Sequence, residues 1–119
     1  FHSTVKYLMG ENLNPEVKKN VGNILLDNDF IVGYHDLQFH EYGRDHLDGS
    51  VDVEIAQNLS LLVAHQLITN IQKRIKREFG INLSIHLDPT YTIIIDDKIS
   101  SEIKKLEEQA TNEYEDFHP

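Results

Sequence analysis

The apolar positions first follow a helical period. Val17, Val21, Ile24 and Leu25 fall at i, i+4, i+7 and i+8, the single stripe of an amphipathic helix. Asn14-Pro15-Glu16 supplies its start: a capping side chain, a proline at the first helical position and an acid in the first turn. The stripe predicts an end near Asp27-Asn28. The pattern then changes to period two. A long strand is predicted from Phe30 to Tyr42, with Leu37 and Phe39 alternating with Asp36, Gln38 and His40. Gly43 to Gly49 reads as a turn. Ser50 to Ile55 alternates again, with Val51, Val53 and Ile55 on one face and Asp52 and Glu54 on the other. The two runs predict a hairpin.

Asn58 or Ser60 caps a second helix running to about Phe79, where Gly80 stops it. Its stripe is Ala64, Leu67, Ile68, Ile71, Ile75 and Phe79. Ile81 to Leu87 is a third alternating strand, with Ile81, Leu83, Ile85 and Leu87 inward and His86 and Asp88 outward. Pro89 is expected to stop the ladder. Beyond it, Tyr91 to Ile95 has strand propensity. Asp96 to about Asn112 reads as a helix with Ile99, Ile103, Leu106 and Ala110 on one stripe. Tyr114 to Pro119 is an acidic, frayed end, and His2 to Met9 is a weakly helical entry. The order helix, strand, strand, helix, strand predicts an α+β open-faced sandwich, its three-stranded sheet covered by helices on one face.

Strand parity gives the other face its chemistry. Residues i and i+2 of a strand share a face, so His86 and Asp88 project side by side, with Asp52 on the same open face. His35 starts the long strand, and His65 flanks the stripe of the second helix. By residue type the His86–Asp88 pair reads either as half of a metal site or as a solvated strand end. His35 is either a ligand or a backbone-bonded strand-start histidine, and His65 either a ligand or a satisfied core histidine. Imidazole and carboxylate are good donors for zinc and its neighbours. His2, His40, His46 and His118 read as surface residues. The acids around the Gly43–Gly49 turn lack the spacing of a calcium loop. An uncovered sheet face calls for a cover, and a second copy of the chain is the simplest one.

Composition narrows the classes. The formal net charge is −9, which repels nucleic-acid phosphates and favours cations. No cysteine is present, so disulfides and thiolate cages are excluded and any transition-metal site must use imidazole and carboxylate. At 119 residues with 39% hydrophobic content and no Trp, the chain predicts one domain with a modest core, for which oligomerisation is a source of added stability. It has neither a signal peptide nor an apolar run of membrane-spanning length. It opens on Phe1 without a Met, as a piece of something longer would. Lys73, Arg74, Lys76 and Arg77 suit the negative end of the second helix's dipole better than they suit a nucleic-acid patch.

Four motifs in order carry a resemblance: Leu8 to Val17 (LMGENLNPEV), Tyr34-His35-Asp36-Leu37, Ala64-His65, and Ile85-His86-Leu87-Asp88-Pro89. Over roughly residues 5–90 the chain resembles the cytoplasmic C-terminal domain of cation diffusion facilitator transporters. The resemblance implies a ferredoxin-like, metallochaperone-like fold and a V-shaped homodimer. The parent would be a proton-coupled exporter of divalent cations, commonly zinc. Metal in the dimer cleft would draw the arms together and regulate the membrane part. Carried over by motif, the metal ligands would be His35, His65, His86 and Asp88. The second-strand histidine of some relatives is matched here by Asp52, a harder donor that widens the choice from Zn2+ toward Mn2+, Fe2+ or Co2+.

On that reading residues 1–13 are the entry from the membrane part, 14–90 the regulatory domain and 91–119 a C-terminal extension about which the resemblance says nothing. The domain would lie on the cytoplasmic side of the membrane. Its partners would be a second copy, the parent's transmembrane domain and divalent metal ions, with no nucleic acid. A metal-independent dimerisation module is the competing reading. An enzyme is disfavoured: the sequence has no Gly-x-Ser-x-Gly, no Cys nucleophile and no phosphate-cradling glycine loop.

Overall fold

The structure, a computed structural model, describes residues 15–41 and 47–117. The elements are α1 (Pro15–Leu25), β1 (Ile31–Glu41), β2 (Leu47–Ala56), α2 (Leu61–Phe79), β3 (Ile81–Tyr91) and α3 (Asp97–Phe117). The expected Asn14 cap, the entry segment, the turn residues 42–46 (with His46) and His118 lie outside the described residues.

Helix α1 ends at Leu25, two residues earlier than its stripe predicted, because Asn28 takes over. Asn28 Nδ2 donates to the Leu25 carbonyl at 3.0 Å, and its Oδ1 accepts from the amides of Phe30 and Ile31 at 2.9 and 3.1 Å. That side chain turns the backbone from helix into strand, as Asx residues do. Helix α2 begins where Ser60 accepts from the Val63 amide at 3.1 Å and ends where Gly80 takes φ 70°, the left-handed cap that glycine adopts without steric cost. Of the two candidate caps, Ser60 is the one used.

The sheet order is β1-β2-β3. β1 and β2 pair antiparallel, and β2 and β3 pair parallel, so α2 is the crossover that parallel neighbours require. Alternating side chains put Leu37, Phe39, Val51, Val53, Ile55, Ile81 and Leu83 on the buried face. Val21, Ile24, Leu25, Val63, Leu67, Ile71 and Ile75 close the core from the helix side. Gly22 lets α1 approach the sheet: a Cβ there would run into the Tyr34 hydroxyl.

Two strand expectations are corrected. β2 starts at Leu47 rather than Ser50, so Gly49 belongs to the strand. β3 does not stop at Pro89. It runs to Tyr91, with Pro89 opposite Ile55. A proline fits here because β3 is an edge strand, where an amide can be dispensed with. The strand predicted over Tyr91–Ile95 is therefore only the end of β3, and residues 92–96 form a connector. That connector is tied to the β2–α2 loop by Asn58, whose Nδ2 donates to the Ile93 carbonyl and whose Oδ1 accepts from the Ile93 amide, both at 3.0 Å. Leu87 has inward parity but stays 40% exposed at this edge.

The tail helix α3 starts where Asp96 Oδ1 accepts from the Ile99 amide at 2.9 Å. Ile99, Leu106 and Ala110 are buried. Asn70 donates to Gln109 at 2.8 Å and Lys73 pairs with Glu113 at 3.4 Å, which seats α3 on α2. Arg74 is held by Glu78 at 2.9 Å and Asp27 at 3.2 Å, so two of the four basic residues of α2 are bound within the molecule. Among the described residues no helix is long and apolar enough to cross a membrane.

Candidate metal centre on the open sheet face

One register line crosses the sheet through His35, Asp52 and His86: His35 pairs with Asp52, and Asp52 with His86. Their neighbours along β2, Val51 and Val53, are buried. The three therefore point away from the helices, onto the open face. The next line on that face joins Gly33, Glu54 and Asp88.

The side chains converge across both lines. His35 Nε2 lies 3.5 Å from Asp52 Oδ2 and 3.7 Å from Asp88 Oδ2, and His86 Nδ1 lies 3.7 Å from Asp52 Oδ1. These gaps exceed good hydrogen bonds, which run to about 3.2 Å. They approach the separation of about 3.4 Å between two donor atoms each about 2.1 Å from a shared tetrahedral ion. Asp52 is the most enclosed of the four and His86 stands 85% exposed, so the site is an open surface cluster reachable by an ion or a second chain.

Four of the five residues singled out by sequence are thus linked pairwise, Asp88 to His35, His35 to Asp52 and Asp52 to His86. His65 does not. It is exposed in the second turn of α2, on the helix side of the sheet, and makes no part of the cluster. Asp36 was not singled out and does join. Ligand atoms of His35, Asp36 and Asp52 lie within 4.8 Å of one another. Strict alternation assigns His35 and Asp36 to opposite faces. A β-bulge between His35 and Gln38, with Asp36 at φ 55°, overrides it. The signal was present: His35 has the same odd parity as inward Leu37 and Phe39, so its sharing a face with Asp52 requires one extra residue between them. Glu54 is a second omission, with its carboxylate beside Gly33, where a Cβ would sit 3.1 Å from Oε2.

A three-stranded α+β sandwich with imidazoles and carboxylates on its uncovered face defines a metal-capable domain. The chain belongs to the family of cation efflux protein cytoplasmic domains, whose model matches residues 13–90. The resemblance read from the four motifs is borne out, and with it the transporter-domain, non-enzyme class. Solved structures agree on the fold. The metal-bound C-terminal domain of the CzcD transporter from Thermotoga maritima is 20% identical with a TM-score of 0.57, over 62% of this chain and 87% of that one. The Zn form of CzrB is 18% identical with a TM-score of 0.55, over 65% and 89%. The MamB C-terminal domain from Desulfamplus magnetovallimortis BW-1 is 12% identical with a TM-score of 0.53, over 68% and 99%. No curated protein matches the chain.

Proposed function

We propose that this domain binds a divalent cation through His35, Asp52, His86 and Asp88, and that binding regulates a proton-coupled cation exporter through the dimer state of its cytoplasmic arms. The observation that carries the reading is the position of His35 Nε2, 3.5 Å from Asp52 and 3.7 Å from Asp88. Two imidazoles and two carboxylates are a donor set for zinc and equally admit manganese, iron or cobalt. Zinc is favoured by the Zn form of CzrB among the structural relatives, and a bound metal by the CzcD domain. His65, separate from the cluster in one chain, would complete the site from a second copy. Residues 14–90 would be the regulatory unit, 1–13 the link to the transmembrane part and 91–119 an accessory extension.

The physical logic is electrostatic. Each copy carries a net charge of −9, so two apposed copies repel. A cation held between carboxylates offsets that repulsion and shifts the population toward the closed pair. Calorimetric titration with Zn2+, followed by small-angle scattering, tests this. Wild type should bind and its dimer envelope should contract. His35→Ala/Asp88→Ala should bind at least about a hundredfold more weakly and show no contraction. Equal binding by the two proteins would remove the site assignment. An envelope indifferent to metal would leave a structural dimerisation module.

A further inference from the structure

Asp36 occupies a backbone position that most residues avoid. Its φ is 55°, in the left-handed region where glycine is the default and Asp is tolerated at a cost. It sits at the bulge where two residues of β1, Asp36 and Leu37, lie opposite one residue of β2, Val51, between the pairs His35–Asp52 and Gln38–Ser50. A bulge whose left-handed residue is glycine is the usual form. Here the left-handed residue carries a carboxylate instead.

The bulge changes where that carboxylate goes. Without the extra residue, Leu37 would follow His35 onto the open face. With it, Leu37 and Phe39 stay buried, while His35 and Asp36 both remain exposed. The result is a ligand atom of Asp36 within 4.8 Å of ligand atoms of both His35 and Asp52. An unfavourable conformation retained beside a cluster of donors is where strain signals function.

Resting on the metal reading above, we infer that Asp36 is a further metal ligand and the specificity-determining one. It adds a third carboxylate around His35, alongside Asp52 and Asp88. That makes the site richer in hard oxygen donors than its histidines alone imply, and shifts preference toward Mn2+ and Fe2+ relative to Zn2+.

Two variants separate ligation from a structural role. Asp36→Asn keeps a residue that accepts the left-handed conformation. Asp36→Gly relieves that conformation outright. Zn2+ and Mn2+ affinities are measured by calorimetry, the visible spectrum of bound Co2+ reports the donor set, and metal-free melting reports the fold. Both variants should melt at or above the wild-type temperature without metal. Both should alter the Co2+ spectrum and lose at least about tenfold in Mn2+ affinity, more than they lose for Zn2+. Unchanged affinities and spectrum would overturn the inference. So would a loss of affinity matched by a fall in metal-free melting temperature, which would assign Asp36 to holding the bulge. If His35→Ala abolishes binding while the Asp36 variants do not, this inference alone falls. If wild type takes up no Co2+, it falls together with the metal reading.

Discussion

Glu102 turns its carboxyl from α3 toward Asp29 in the loop before β1, and its Oε2 is closed off from solvent with no hydrogen-bond donor. Burial raises its pKa first, and the neighbouring Asp29 raises it further, against the opposing pull of Lys98 and Lys105. Lys98 is engaged with Asp29 at 3.3 Å. A carboxyl whose folded pKa is raised gives up its proton later than in the unfolded chain. Its favourable contribution is complete below the ordinary value of 4.5 and is lost as pH rises through the folded value. Glu102→Gln, which fixes the neutral form, should therefore raise the melting temperature at pH 7 by more than at pH 4. Scanning calorimetry at the two pH values checks this, and equal shifts would contradict it. At this scale the sequence was legible wherever parity alone decides. His86, Asp88 and Asp52 share a face because they sit on even positions of regular strands. Asp36 and Glu102 were not legible. One depends on a bulge and the other on which loop a tail helix meets.

Elements were most readable where a local signal ends them. Ser60 and Gly80 bracket α2 as capping chemistry requires, and the tail helix appears with its Ile99, Leu106 and Ala110 stripe buried. Pro89 misled because a proline stops a strand only if its amide is needed, and the topology that leaves β3 at an edge is not a local property. The tail helix also extends the hydrogen-bond chain that begins at a polar residue of the interior. Gln66, only 3% exposed, donates to Asn70 at 2.9 Å, and Asn70 in turn donates to Gln109 of α3 at 2.8 Å. Truncation after Ile95 removes Gln109 from this chain and uncovers apolar surface of α2. At about 1.5–3 kcal/mol per buried aliphatic side chain, less the ordering entropy of the helix, the net loss should be about 2 kcal/mol. The melting temperature should fall by about 10 °C. A truncated chain that melts with the full one would show that α3 adds nothing to the domain.

At the scale of the molecule, the two faces of the sheet have different roles. One is sealed by α1 and α2 over an apolar core. The other carries Gln38, Ser50 and Ser84 in one register line and His35, Asp52 and His86 in another. A dry apolar interface cannot form on such a surface, so a second copy meeting it would do so through ions, water or hydrogen bonds. Net charge and alternation foretold this polarity. The convergence of His35 with Asp52 and Asp88 needed the register, which no single strand contains. Anomalous diffraction from a zinc-soaked crystal, recorded on either side of the zinc edge, tests the central claim most directly. A peak is expected within about 2.2 Å of His35 Nε2 and Asp52 Oδ2. A crystal whose zinc peaks all lie away from the open sheet face would contradict it.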